Sequence, residues 1–428
     1  MDVVDGEEPA EGNHRLPERV GQPPETDGRR TYQVLIDRRF GTFFVGKLAS
    51  LMGLWVVNIT SALLIFELTN SAFLVGLVTV LQFTPQIVFS PWIGALIDRK
   101  DRRRVVMMGQ TLTLVGTLGL GIWLLAAGVE GLPGLWPIFA TALFAGLGNA
   151  VTSPSTQSLI PALVPRADLF AGITLNSSIA SLSRAVGPAL GALVYVGLGP
   201  AAGFITGAVG NLLLIAAMAL VRPEPAPKDS GGDTSILGGF RYLRRTPAML
   251  ALLLCVAAVG FGVDVTITLT PSLAAELGQG EVFVGTLASV FGVGALAAIL
   301  LSSPLDRRWG LSGVGVVGLG LMSIGFLGLA ASPGADLALV GIGIAGAGFL
   351  LSSSSLTSRI QELVPDVFRG RVMAIWAVGY FGSRPIAATI NGAVADAVSA
   401  RFALLITVVV TGVAAYFTYT TAKWIDRD

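Results

Sequence analysis

Residues 94–104 read Gly-Ala-Leu-Ile-Asp-Arg-Lys-Asp-Arg-Arg-Arg and separate two long apolar runs, at 72–97 and 105–128. A helix needs about 20 apolar residues to cross a bilayer, and each run is long enough. A cluster of arginines between two such runs is typical of a loop that stays on the cytoplasmic side of a membrane. The stretch therefore predicts two membrane-spanning helices joined by a short cytoplasmic turn.

The rest of the chain resembles this hairpin in composition. Of the 428 residues, 53% are hydrophobic and 13% are charged, whereas about 25% are charged in a typical soluble protein. The apolar runs are too long for membrane strands, and they lack the alternation that strands require. We expect an all-α polytopic membrane protein with twelve spans, near 41–66, 72–97, 105–128, 135–158, 169–196, 202–221, 248–274, 282–304, 311–331, 335–357, 372–397 and 401–422.

The distribution of Lys and Arg predicts the orientation. With the N-terminus assigned to the cytoplasm, 24 of the 28 Lys and Arg residues lie in cytoplasmic segments. Arg401 lies in an outer loop, and Lys47, Arg184 and Arg384 lie within spans. Because loops rich in Lys and Arg stay inside, we expect a multi-pass protein of the inner (plasma) membrane with both termini in the cytoplasm.

A polar, proline-rich stretch after the sixth span divides the chain. A second polar stretch at the N-terminus has few large apolar residues before Tyr32, which is typical of disorder. A short surface helix is expected to begin near Thr31. The predicted organisation is a disordered cytoplasmic tail at 1–39, six-helix halves at 40–221 and 248–422, a cytoplasmic linker at 222–247 and a cytoplasmic tail at 423–428.

The two halves share short sequences in the same order. The offsets are 200 residues for two of the matches and 209 and 208 for the others, so a repeat is a better explanation than chance. Two parallel six-span halves with a site between them at mid-membrane are typical of transporters. The matches are Leu163-Val164-Pro165 with Leu363-Val364-Pro365, Ser183-Arg184 with Ser383-Arg384, Val75-Gly76 with Val284-Gly285, and Asp98-Arg99 with Asp306-Arg307.

The charged loop has a chemistry suited to moving helices. Gly94 lets a neighbouring helix approach closely, and Asp98 can accept hydrogen bonds from the amides at the start of an adjacent helix. Arg99, Arg102 and Arg103 can pair across the cytoplasmic face or bind phospholipid headgroups. The alternative is a plain cluster of positive charge on the inner side, with no part in gating.

This loop resembles the signature of the major facilitator superfamily between spans two and three, Gly-x-x-x-Asp-Arg-x-x-Arg-Arg. Asp101 stands where the family usually has Gly. The resemblance covers residues 40–425 and implies two pseudo-symmetric six-helix halves that rock about a central site. Phe66-Glu67-Leu-Thr-Asn-Ser, Val75-Gly76 and Gly238-Gly-Phe-Arg-Tyr-Leu are similar to the branch of the family that contains macrolide and multidrug efflux pumps and the enterobactin exporter.

The fifth span carries Gly187, Pro188 and Gly191. Such a sequence kinks a helix and lets it pack tightly. It resembles the antiporter motif of exporters in the superfamily, although Thr174, Ser183 and Ala192 replace glycines of that motif. A kink without any bearing on the direction of transport is the alternative interpretation. Ala142 stands where many proton-coupled drug exporters carry an Arg, which weakens a proton mechanism taken from those relatives.

Charges inside spans are candidate functional groups because each is costly in hydrocarbon without a partner. Arg184 and Arg384 lie near mid-depth, and Asp264 is the carboxylate that lies within a span. In one hypothesis Asp264 carries the proton, with Glu67 as an outer relay, and the arginines bind an anionic substrate group. In the other, the charges neutralise one another and hold helices together.

Other polar and aromatic residues within spans are candidates for the lining of a cavity. The amides Asn58 and Gln82, the mid-span Trp376 and Lys47 near the cytoplasmic end of the first span belong to this set. Helix packing is the alternative for the amides and the Trp, and Lys47 could extend its amine to the interface.

The predicted function is export of amphiphilic, drug-like small molecules from the cytoplasm by alternating access, with proton antiport. Alternatives are export or flipping of a siderophore or a lysophospholipid, and, more remotely, a membrane scaffold that transports nothing. The expected partners are the substrate, protons and membrane lipids, without nucleic acid, and the expected state is a monomer. With one His and one Cys in the chain, no metal site, cofactor or enzymatic centre is predicted.

Overall fold

A computed structural model describes residues 31–99, 101–221, 243 and 246–425; for residues 90–99, 166, 366, 367, 369, 424 and 425 it describes the backbone alone. The described helices are α1 (Thr31–Ile36), α2 (Arg38–Thr69), α3 (Ala72–Arg99), α4 (Arg102–Ala127), α5 (Trp136–Leu163), α6 (Leu169–Leu220), α7 (Pro247–Val263), α8 (Val265–Thr268), α9 (Thr270–Glu276), α10 (Glu281–Ala330), α11 (Ala335–Leu363), α12 (Asp366–Ala397) and α13 (Ala400–Ile425). A 3₁₀ turn, Arg166–Asp168, precedes α6.

Two of these helices each contain a pair of spans. The backbone leaves the helical conformation at Gly199 in α6 (φ 83°) and at Gly310 in α10 (φ 65°), and such positive φ values favour glycine. Eight of the described helices are long and apolar enough to cross a membrane. With α6 and α10 divided, α7–α9 taken as one broken span and α5 and α12 included, the described residues contain twelve spans, and the predicted fold class is confirmed.

The short helix expected near Thr31 is present. Within the stretch 1–39 that the sequence assigned to a tail, α1 begins at Thr31 and α2 at Arg38. Val34 is fully buried with Phe40 and Phe43, and Asp37 caps α2 by accepting hydrogen bonds from the next amides. These apolar contacts, which composition alone does not reveal, order the segment. Residues 1–30, most of the linker at 222–247 and residues 426–428 lie outside the described residues.

The two halves meet through glycines that are repeat mates in the sequence. A Cβ at Gly76 of α3 would lie 2.6 Å from the carbonyl oxygen of Ala388 in α12. A Cβ at Gly285 of α10 would lie 2.7 Å from the carbonyl oxygen of Pro188 in α6. Because both contacts join opposite halves, the sequence repeat corresponds to a repeat of packing.

The end of the bundle that carries the turn between α3 and α4 is called here the basic end, and the opposite end, where α2 passes into α3, the far end. At the far end, Asp396 of α12 accepts hydrogen bonds from the Ser71 hydroxyl (2.5 Å), the Ala72 amide (2.6 Å) and the Phe73 amide (3.3 Å). A carboxylate of one half therefore caps the first turn of a helix in the other half, and the halves are joined there.

Candidate functional site

A cavity of about 650 Å³ lies between the halves and is lined by side chains of both. Its volume falls in the range of roughly 300–1,000 Å³ that is usual for small-molecule sites. It extends towards the basic end, where Gln157, Ser177 and Ser353 line it. Among the described residues, no group of three or more His, Cys, Asp or Glu side chains is placed to bind a metal ion.

The N-terminal half supplies a connected polar wall. The Gln82 side-chain amide donates to the Asn58 carbonyl oxygen at 3.1 Å. The Ser50 hydroxyl lies 3.1 Å from Gln110 Oε1 and 3.4 Å from Asn211 Oδ1. All five side chains line the cavity. Bonds between α2, α3, α4 and α6 thus hold this wall in place and leave it able to bind polar groups.

The C-terminal half supplies an aromatic wall. The rings of Trp376 and Tyr380 stack with centroids 5.2 Å apart, and Phe381 meets Tyr380 edge-on at 5.1 Å. Trp376 and Tyr380 are four residues apart on α12 and therefore lie on one face of the helix. Phe83 from α3 stacks on Phe381 at 6.1 Å. Of these four aromatic residues, Trp376 was predicted from the sequence to line a cavity. Tyr380 and Phe381 were not, although they lie about one helical turn before Arg384, and that spacing could have indicated them.

Arg184 of α6 projects into the cavity between two rings. Its guanidinium carbon lies 4.7 Å from the centroid of Phe349 and 5.7 Å from that of Trp55. Its Nη1 atom is buried without a hydrogen-bond partner. The charge is therefore stabilised by the negative faces of rings, while a donor remains unused.

Arg384 of α12 connects the cavity to a deeper carboxylate. It lines the cavity although it is 8% exposed, and its guanidinium carbon lies 4.0 Å from the centroid of Phe83. It interacts electrostatically with Asp264, which is fully buried where α7 meets α8. The side chains of Thr79 and Thr268 are neighbours of its carboxylate, and Asp264 is not among the residues that line the cavity. Asp264 therefore lies behind the lining, not on it.

The other charged candidates lie at opposite ends of the first span. Lys47 lines the cavity, and its Nζ donates to Asn176 Oδ1 at 2.6 Å. Glu67 is exposed at the far end and accepts a hydrogen bond from the Tyr195 hydroxyl. The structure does not bring Glu67 together with Asp264, so any relay between them would need further groups.

The arginines after α3 bind carbonyls of their own half. Arg102 donates to the Ser158 carbonyl at 2.8 Å, and Arg103 donates to the Ala219 carbonyl at 2.6 Å. Asp101 caps α4 by accepting from the Arg103 amide at 2.9 Å, so the departure from the usual Gly has a structural use. Gly94, Asp98 and Arg99 belong to α3, whose described part here is the backbone alone.

The Gly187–Gly191 segment packs α6 against α2. A Cβ at Gly187 would lie 2.6 Å from Trp55 Cβ, and one at Gly191 would lie 3.0 Å from Val56 Cα. On the other side, the Ser289 hydroxyl of α10 accepts a hydrogen bond from the Ala189 amide at 2.8 Å. The helix keeps helical backbone angles through Pro188. The observed consequence of the motif is close packing on both sides of α6.

Comparison with known proteins agrees with this architecture. A family profile described as transmembrane secretion effector matches residues 30–424. Macrolide efflux protein A of Streptococcus pyogenes is 28% identical over 221 residues, which are 50% of this chain and 54% of that protein. The chain thus aligns with about half the length of that relative.

Two further similarities extend over most of the chain. The enterobactin exporter EntS of Shigella boydii is 26% identical over 381 residues, covering 86% of this chain and 89% of the exporter. A bacterial homologue of the human lysosomal transporter Spinster, solved in an inward-facing, unoccupied conformation, superposes with a TM-score of 0.71 at 15% identity. That superposition covers 94% of this chain and 98% of the homologue, and it shows the shared fold.

Proposed function

The chain belongs to the transmembrane secretion effector family within the major facilitator superfamily, and on that premise we propose that it exports amphiphilic small molecules from the cytoplasm by alternating access. The observation that carries the proposal is the cavity between the halves, which has a polar wall on one side and an aromatic wall on the other. Such a cavity suits a molecule with one polar and one apolar part.

The conformation fits the loading step of this proposed cycle. The halves are joined at the far end by Asp396, and the cavity extends towards the basic end. If the basic end faces the cytoplasm, as its arginines indicate, the cavity is positioned to load from the cytoplasm. Both termini then lie in the cytoplasm of a multi-pass plasma-membrane protein. Fusion of a reporter to the C-terminus tests this orientation, and an external C-terminus would contradict it.

The coupling element in this proposal is Asp264 with Arg384. A carboxylate in a dry interior is stable when it is paired or protonated. When Asp264 takes up a proton, Arg384 loses its partner and turns into the cavity, where it displaces the substrate. When Asp264 releases the proton, Arg384 returns to the carboxylate and the cavity can bind substrate again. Substrate and proton would then occupy the protein alternately and be carried in opposite directions.

The test is accumulation of fluorescent amphiphiles, both cationic and anionic, in everted vesicles with an imposed pH gradient. We expect uptake that a protonophore abolishes, that Asp264→Asn lowers at least tenfold, and that Glu276→Gln leaves within twofold. Glu276 is a matched control because it is a partly buried carboxylate that binds the Ala400 amide and Arg401, away from the cavity. Unchanged accumulation by Asp264→Asn, or no gradient-dependent uptake by folded protein, would overturn the proposal.

A further inference from the structure

The cavity carries an excess of positive charge. Among the described residues that line it are Lys47, Arg184 and Arg384, and none of the described lining residues is Asp or Glu. Asp264 is close to Arg384 but is fully buried behind the lining. Even with Asp264 ionised, two positive charges in the cavity wall are uncompensated by a nearby carboxylate. A lipophilic cation would meet this charge unfavourably.

Arg184 differs from the other two cations. Lys47 donates to a neutral amide, Asn176, and Arg384 is attracted by Asp264. Among the described residues, no carboxylate comes within ion-pair distance of Arg184, and its Nη1 atom is buried without a partner. The guanidinium carbon lies over the rings of Trp55 and Phe349. Neither ring is an ionised acceptor, and a guanidinium can bind a carboxylate or a phosphate bidentately.

The packing of α6 holds Arg184 in this place. A Cβ at Gly292 of α10 would lie 2.5 Å from the Arg184 carbonyl oxygen. Pro188, four residues later, has no N–H to donate to that carbonyl. Ser183 is fully buried on one side of Arg184, and Gly187 contacts Trp55 on the other. A charged side chain on so fixed a backbone is suited to recognition of a ligand.

From these observations we infer that Arg184 anchors the anionic group of an amphiphilic anion, such as a carboxylate or a phosphate monoester. The apolar part of that molecule lies against the aromatic wall of Trp376, Tyr380 and Phe381. The inference rests on the proposed function, since it takes the cavity as the substrate site. It narrows the substrate from amphiphiles in general to anionic ones.

The test is binding of three matched probes to the full chain in nanodiscs: 1-pyrenebutyrate, 1-pyrenebutanol and pyrenebutyl-trimethylammonium. Energy transfer from tryptophan to pyrene reports binding, because Trp55 and Trp376 line the cavity. Empty nanodiscs correct for partition into lipid. We expect the anion to bind at least tenfold more tightly than the cation.

Variants separate the charge of Arg184 from its packing. Loss of a hydrogen bond to a charged group costs about 1.5–3 kcal/mol, so we expect Arg184→Gln to weaken the anion roughly tenfold or more. The neutral probe should change less than twofold, and Arg184→Lys should retain part of the preference for the anion. Arg308→Gln is the control, because Arg308 is exposed beside Trp309 outside the cavity, and it should change nothing.

Two results would overturn the inference: equal or tighter binding of the cation by the unmodified chain, or undiminished anion affinity in Arg184→Gln. The first needs no variant and therefore holds even if a substitution prevents folding. Binding requires no gradient, so its outcome is separate from that of the vesicle assay. Anion binding without export would support this inference and contradict the proposed function. Export of cations without anion binding would support the proposed function and contradict this inference.

Discussion

Asp264 and Arg384 carry opposite charges inside the protein but differ in their contact with the cavity. Arg384 lines it and Asp264 does not. In a medium of low dielectric constant, their attraction persists beyond contact distance. The interaction energy between Asp264 and Arg384 can therefore be measured by mutation, and that measurement does not depend on proton transport.

Arg384→Gln and Asp264→Asn should each lower the apparent melting temperature of the detergent-solubilised protein, because each leaves the other charge buried alone. The double variant should be destabilised by less than the sum of the two single variants. We expect the difference in the free energy of unfolding, which is the coupling, to be about 0.5–3 kcal/mol. The pair Arg401 and Glu276, whose side chains are partly exposed and 3.7 Å apart, is the control and should show a coupling of about 0–1 kcal/mol. Additive losses for Asp264 and Arg384 would show that the two charges do not interact.

Charged and amide side chains of the cavity are predictable from the sequence because they stand out within apolar runs. Asn58, Gln82, Lys47, Trp376 and the two arginines all line the cavity. A Phe does not stand out in this way, because its neighbours in an apolar span are also hydrophobic. The sequence therefore does not distinguish a Phe of the core from one that lines a cavity. Phe83 and Phe381 are brought together only by the packing of α3 on α12, which no local pattern specifies.

At the scale of helices, Gly76 and Gly285 make two equivalent close contacts between the halves. Valine at either position would place a Cβ within 2.7 Å of a backbone oxygen of the other half, and overpacking of this kind costs about 1–3 kcal/mol. We expect both variants to weaken closure at the far end and to lower gradient-driven uptake several-fold. Gly119→Val is the control, because nothing lies within 4 Å of a Cβ there. Uptake by Gly76→Val and Gly285→Val as high as that by Gly119→Val would show that these contacts do not matter for transport.

The cap that Asp396 makes on α3 gives a second test at this scale. Loss of a helix cap costs about 0.5–2 kcal/mol. In Asp396→Ala the amides of Ala72 and Phe73 should therefore exchange hydrogen for deuterium about 2–30 times faster. Glu276→Ala removes a similar bond to the Ala400 amide within one half, and it should leave residues 72–73 unchanged. Mass spectrometry of peptides from this region measures the effect.

Helix existence followed from the sequence, but several boundaries did not. Apolar runs predicted the spans, and the positive φ values at Gly199 and Gly310 lie at turns expected between spans. The region 248–274 was predicted as one span, whereas α7, α8 and α9 are separated at Asp264 and Leu269. Hydropathy predicts that this region crosses the membrane, but it does not predict that the helix is interrupted at the buried Asp264.

For the whole molecule, the proposed mechanism requires the two halves to separate at the far end during each cycle. Ser289 and Ala189 lie on opposite halves and are joined by a 2.8 Å hydrogen bond, so cysteines at both positions are close enough to be oxidised to a disulfide. The one native cysteine, Cys255, is buried and unpaired, and Cys255→Ala provides a background without thiols. The disulfide should hold the far end closed.

Oxidation of Ala189→Cys/Ser289→Cys should therefore abolish gradient-driven uptake in everted vesicles, and reduction should restore it. The matched control is Ser323→Cys/Val408→Cys, which joins two helices of one half across a 2.9 Å hydrogen bond. Because rocking moves each half largely as a rigid body, this second disulfide should leave uptake within about twofold of the reduced protein. Mass spectrometry establishes that each bond has formed. Full uptake with the far-end disulfide in place would mean that the halves need not separate there, and alternating access about this cavity would be wrong.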